Sequence, residues 1–358
     1  MKGFVMVSNI INIFLRVGIY LFALLSLSSL ANSHQQASWQ RIDITKKASL
    51  RGSAVINNSL WVTGSDNTVF VSQDAGKTWL DRTVNSSLKL DFRDIALFDK
   101  STAIVMGAGE GKQSVLYKTI DGGKSWQLLH ENADAKGFYD SIGFWDKQRG
   151  LLLGDPVDGY YVIKKTIDGG KHWRRISNIK LPLMLEKEAA FAASGNTIIT
   201  GKRGQAWLTT GGFSASVYYS DDFGESWQRQ AVPLFQHTQT AGGYGLALNS
   251  HQQVFVLGGD YLQRQAKYVN MARLVSGKWQ AVNNKQRGLR TAMSCLANTC
   301  IATGKTTSDI SYDGGENWQA LDDKSATSGN QGFYTLASDK KLILAAGVDG
   351  KVAIFKAK

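Results

Sequence analysis

At 358 residues, 43% hydrophobic and 20% charged, the chain can bury a sizeable core, which excludes a disordered protein. Its 37 glycines and 3 prolines suit many short strands joined by tight turns. The net charge of +12 comes from scattered Lys and Arg with no long basic run, which points to an acidic protein segment or an anionic surface rather than nucleic acid.

Residues 1–33 read as a signal peptide. Lys2 and Arg16 are basic, no acidic residue precedes Asp43, and Val17–Leu30 is an apolar run of leader length. Ala31, Asn32 and Ser33 place small residues before a cleavage point expected near Ser33. An uncleaved membrane anchor is the alternative. Taking Lys2 and Arg16 from +12 leaves +10 on residues 34–358, and export to a periplasm, lumen or extracellular space is expected. Export is a second argument against nucleic acid.

Residues 34–358 carry a repeat. Ser/Thr-x-Asp-x-Gly-x-x-Trp occurs at Ser72–Trp79, Thr119–Trp126, Thr166–Trp173, Ser220–Trp227 and Ser311–Trp318. A degenerate copy survives at Ser276–Trp279, and Trp39 resembles the tail of another. The Asp accepts backbone N–H groups within its own turn, the glycine supplies the turn, and the Trp packs back on neighbouring strands. Each copy is read as a hairpin staple, so no Asp-box residue is nominated as a site.

The tryptophans at 39, 79, 126, 173, 227, 279 and 318 lie 39–54 residues apart, close to the roughly 40–50 residues of a four-stranded blade. After Trp318 only three strands remain, in Gly332–Ala337, Leu342–Ala346 and Val352–Phe355. The orphan segment Trp39–Ile44 supplies the fourth. The expected fold is therefore all-β: one seven-bladed β-propeller of antiparallel blades, closed by its N-terminal strand and monomeric.

In such a ring the first strand of each blade lines the channel, and its start shares a face with the loop between second and third strands. One register of the inner strands gives Arg51, Arg93, Tyr139, Glu188, Tyr244, Arg290 and Tyr334, with Asp94 and Asp140 following two of them. Three converging arginines suit a carboxylate, a phosphate or an acidic side chain, and equally suit mutually paired filling of a wet channel. The matching loops add Asp155 and Asp158, the long segment Gly201–Ser214 with Trp207, and Asp260 with Tyr261.

Cys295 and Cys300, four residues between them, fit a disulfide across a hairpin in an oxidising compartment. The five histidines lack metal-ligand spacing, and the lone glycine loop at Gly107–Gly111 precedes no helix. No cofactor and no metal are expected.

The repeat is the Asp-box, or BNR repeat, and the chain resembles the sialidase-like Asp-box propellers. Through Asp91-Phe-Arg93-Asp94, Phe138-Tyr139-Asp140, Gly154-Asp155-Pro-Val-Asp158-Gly159, Thr210-Gly-Gly212 and Gly258-Gly-Asp260-Tyr261 it resembles the photosystem II assembly and stability factors and their bacterial relatives. That resemblance implies an exported scaffold that binds membrane-protein precursors, and so a role in assembling or stabilising a membrane or envelope complex. The alternative is a glycoside hydrolase acting on a glycan, sialidase-like or xyloglucanase-like, with Glu188, Tyr139, Asp94 and Asp140 as the candidate catalytic groups. Sialidases, however, have six blades and an Arg-Ile-Pro motif, whereas Arg41-Ile42 is followed here by Asp43.

Overall fold

The computed structural model describes residues 39–264, 266–283, 288–321 and 332–356; the leader expected at residues 1–33 lies outside them. Seven four-stranded antiparallel blades follow one another in chain order. Blade 1 is Leu50–Ile56, Ser59–Gly64, Val69–Ser72 and Leu80–Asp81; blade 2 is Phe92–Leu97, Ala103–Gly107, Val115–Thr119 and Gln127–Glu131. Blade 3 runs from Tyr139 to Arg175, blade 5 from Ala241 to Ala281, and blade 6 from Ala292 to Ala320. Blades 4 and 5 are joined into one hydrogen-bonded sheet by the pairing of Gly211 with Gly242.

Ring closure is as expected. Gln40–Asp43 pairs with Lys351–Phe355 in the sheet that also holds Thr335–Ser338 and Ile343–Ala346, so both chain ends share blade 7. The inner strands touch their neighbours in an unbroken cycle, blade 7 meeting blade 1. Middle strands are mostly apolar because both their faces are covered: every residue of Ser59–Gly64 and Ala103–Gly107 is buried, whereas Leu80–Asp81 on the outer edge is exposed. The core is correspondingly divided into wedges between blades. Leu50, Leu60 and Phe70 meet Leu344 and Ile354 between blades 1 and 7, and Trp61 and Val71 meet Phe92 and Val105 between blades 1 and 2.

The Asp-boxes are staples in fact. Ser72 Oγ donates to Asp74 Oδ1 at 2.8 Å and accepts from Gly76 N, while Thr78 N donates to the same carboxylate at 2.9 Å. The pattern returns around Asp121, Asp168, Asp222 and Asp313. Hydrogen bonds from Thr78 hold the Asp74 carboxyl down to about 2, and those from Ser125 do the same for Asp121.

Cys295 and Cys300 face each other on the paired strands of blade 6 and form a disulfide. Replacing both by Ser is expected to lower the free energy of unfolding by about 2 kcal/mol, the closure entropy of so short a loop. Denaturant titration of the variant against the oxidised protein checks this, and equal midpoints would remove the staple from the account.

Candidate functional site

In four blades the inner strand begins with a bulge, and this sets which side chains face the channel. In blade 1, Leu50 pairs with Gly64 and Gly52 with Thr63, leaving Arg51 as the extra residue. The same shift singles out Arg93 in blade 2, Asp140 in blade 3 and Tyr244 in blade 5. A bulge re-aims its extra side chain, here into the channel. The residue before it faces a glycine that ends the second strand, and a Cβ on Gly64 would lie 2.2 Å from the Ser49 carbonyl oxygen. Glycine is therefore required wherever the strands approach so closely.

This register corrects the sequence reading at three positions. Tyr139 pairs with Gly154 and Glu188 with Gly212, and Arg290 packs on Gly304, so all three occupy the place of Leu50 rather than of Arg51. A one-residue slip turns a side chain from the channel to the core between blades. Tyr139 is buried, stacked on His130 and receiving a hydrogen bond from Lys164 Nζ at 3.1 Å; burial raises its hydroxyl pKa. Glu188, 3% exposed, accepts from Thr210 Oγ1, Tyr218 Oη and Leu185 N. Arg290 is fully buried against an equally buried Asp309, Nε to Oδ2 2.8 Å.

Blade 4 departs from the pattern. Its inner strand breaks after Glu188–Ala189 and resumes at Ile198–Thr200, both pieces pairing with Ala206–Gly212. The intervening residues cross the channel. Ala193 and Ala192 carbonyls accept from Arg51 Nη1 (3.1 Å) and Arg93 Nη1 (2.9 Å), Ser194 Oγ donates to the Thr291 carbonyl, and the Asn196 carbonyl accepts from Leu246 N. Blades 1, 2, 5 and 6 are thus tied to one loop. At Gly195, with φ +72°, a Cβ would lie 2.5 Å from Asp94 Oδ1. The long segment expected at Gly201–Ser214 is instead mostly this blade's second strand, and Trp207 is buried between blades 4 and 5 against Tyr219.

The loop divides the channel. On the face away from the Asp-boxes it floors a cavity of about 430 Å³ lined by Arg51, Arg93, Asp140, Asp155, Tyr244, Tyr261 and Tyr334. Phe138, Phe191, Arg264, Leu289, Thr291 and Lys305 complete the wall. Arg264 and Lys305 lie on loops that no repeat marks, but Phe138 and Thr291 were legible once the strand-end glycines fixed the register. On the other side a space of about 570 Å³ is lined by Asp94, Ser194 and Thr200 among others. Asp94 accepts from Ser141 Oγ and Ile142 N and so fastens blade 2 to blade 3, with burial pushing its carboxyl up to about 7. Asp158 is exposed at a turn, and buried Asp260 receives Thr238, Thr240 and Leu262; neither lines the cavity.

Electrostatically the cavity is mixed. Arg51 stacks on the Tyr334 ring at 4.5 Å, and no carboxylate pairs with it among the described residues. Burial and then the neighbouring Arg93 charge lower its pKa, so two guanidinium groups repel each other across a water-poor wall. Arg93 is partly balanced by Asp91, Nε to Oδ2 2.8 Å. Tyr244 lies flat on Phe191, centroids 4.3 Å apart. An anion reaching this wall would meet two forked donors and aromatic faces. Among the described residues no group of three or more His, Cys, Asp or Glu side chains is placed to hold a metal.

The BNR/Asp-box repeat family matches residues 218–229, the fourth copy of the motif. Among solved structures the chain is similar to YCF48 bound to D1 peptide, at 15% identity over 89% of this chain and 97% of that one, TM-score 0.66. YCF48 from Cyanidioschyzon merolae is 16% identical over 89% of this chain and 99% of that one, TM-score 0.65. The GH74 enzyme of Niastella koreensis is 12% identical over 88% of this chain and 53% of its own length, TM-score 0.60. At these identities the likeness establishes the fold alone, a β-propeller of the kind seen in YCF48. No curated protein matches the chain in sequence.

Proposed function

We propose that this chain is an exported binding propeller whose cavity grips a carboxylate-bearing segment of a partner protein, assisting assembly or stability of a membrane or envelope complex. The observation that carries the reading is the Arg51–Arg93 wall: two guanidinium groups held toward one cavity by the main chain of the floor loop, one of them without a carboxylate partner among the described residues. The likeness to a propeller whose structure was solved with a peptide supports a protein ligand. The leader and the Cys295–Cys300 bond support an oxidising compartment outside the cytoplasm.

Tagged protein in gentle envelope extracts should recover a defined partner. Arg93→Ala should then weaken that complex about tenfold or more, since a charge-assisted hydrogen bond contributes about 1.5–3 kcal/mol, and added salt should weaken the wild-type complex too. Asp121→Ala, in an Asp-box, should lower the melting temperature and spare affinity. Wild-type binding by Arg93→Ala with loss of binding in Arg174→Ala would move the working surface to the outer blade edge.

The hydrolase reading loses most of its candidate set. Of Glu188, Tyr139, Asp94 and Asp140, only Asp140 lines the cavity, and among the described residues Asp155 is its one carboxyl companion there. Turnover of a purified glycan, with no partner recovered, would restore that reading.

A further inference from the structure

The cavity holds two acidic side chains that the arginine wall does not use. Asp140 is 1% exposed, lines the cavity as the bulged residue of blade 3, and its Oδ2 has no hydrogen-bond partner among the described residues. A buried carboxyl oxygen left unmatched is rare in a folded protein and calls for a missing partner. Asp155, at the end of the same blade's second strand, opens into the same space.

Arg51, Arg93, Arg264 and Lys305 line the same cavity, yet among the described residues none of them forms an ion pair with either acid. Arg93, on blade 2, faces Asp140, but its guanidinium is engaged by Asp91 and the Ala192 carbonyl. Tyr161, behind the two carboxyls on blade 3, is kept uncharged by burial and by the neighbouring acids. Burial raises the Asp140 carboxyl, Asp155 adds to that effect, and Arg93 opposes it; Asp155 itself is open to solvent. Burial and the neighbouring Asp155 charge both favour the protonated form of Asp140, and a cation lying against the two acids opposes both effects.

We propose that Asp140 and Asp155 form a subsite for a primary ammonium, such as a lysine side chain, so that the cavity takes a carboxylate and an ammonium side by side. The inference rests on the reading that this cavity is the working mouth. A metal ion would need more ligands than the described residues bring together, whereas an ammonium needs only acceptors and offers three donors. Phe138 and Phe191, in the same wall, offer apolar and π surface to the stem that carries it. A cation arriving at the two acids competes with their protonation, so its binding strengthens as pH rises through the range in which they titrate.

The test uses n-butylammonium chloride against n-butanol, with the aspartate carboxyl carbons followed by NMR as pH is varied. Butylammonium should lower the titration of the pair by about one pH unit, tenfold in proton affinity, and butanol should not. Asp140→Asn should abolish the shift. Asp155→Asn, at a more open position, should do the same where the first variant folds poorly. Two acidic peptides differing only by lysine or norleucine should then differ about tenfold in affinity for the wild type and bind alike to Asp155→Asn. A carboxyl titration that ignores butylammonium overturns the subsite. If butylammonium shifts the pair while neither peptide binds, the subsite stands and the partner reading falls.

Discussion

A chain that starts at residue 45 is expected to melt about 5–10 °C below one that starts at residue 34, and to self-associate. Removing Gln40–Asp43 uncovers the whole pairing edge of Lys351–Phe355. It also strips Trp39 from Phe333 and Phe355, at 5.0 and 6.0 Å between rings, and Ile42 and Ile44 from the wedge between blades 7 and 1. One large ring and two partly buried isoleucines together contribute about 5 kcal/mol. Most domains have only about 5–15 kcal/mol to lose. The open edge then offers a template for another molecule's strand. Calorimetry and light scattering on the two chains read both effects. Identical melting with a monodisperse short chain would mean that the ring holds without its terminal strand.

Asp309→Ala is expected to cost about 3–5 kcal/mol, because it leaves the guanidinium of Arg290 buried without its carboxylate. Neither side chain is exposed at all, and Arg290 further donates to the Leu289 carbonyl (3.1 Å) and to Thr307 Oγ1 (3.0 Å). Replacing both partners, as Arg290→Met with Asp309→Leu, removes the charge and its counter-charge together and should recover most of the loss. Urea titration of the single and double variants gives the two numbers. A single variant within about 1 kcal/mol of wild type would show that the pair is not a structural tie. Neither variant that folds should weaken partner binding, in contrast to Arg93→Ala, since Arg290 lies outside the cavity.

The blades, their order and the closing strand are legible because the Asp-box pins the outer hairpin of five blades and the recurring tryptophans count all seven. The site was legible only to within a residue. Arg51, Arg93, Tyr244 and Tyr334 line the cavity, whereas Tyr139, Glu188 and Arg290 turn into the core between blades. Alternation alone does not reveal a bulge, and a polar residue at a strand start reads as channel-facing even when its partner, such as Asp309 for Arg290, arrives on another strand. The strand-end glycines carry the missing information. Gly64, Gly154, Gly212 and Gly304 each mark the neighbour they face as core, and for Gly64, Gly154 and Gly304 the next residue, Arg51, Asp140 or Thr291, lines the cavity. The floor loop is hidden for a different reason: Ala190–Ala193 reads as a continuation of the inner strand, and Ser194-Gly195-Asn196 reads as an ordinary hairpin turn.

That floor turns a tube into a cup. A tube can thread a polymer and release it from the far side, but a cup accepts only what the rim admits and returns it the same way. Depth then limits an occupant more than length does. A long chain is held by a tip or a protruding side chain while the rest stays in solvent, and its neighbours crowd the rim. With Arg51 and Arg93 bonded to the floor itself, the base of the cup and its cationic wall are one piece. Anything that pulls on the wall also tugs on blades 5 and 6 through Asn196 and Ser194.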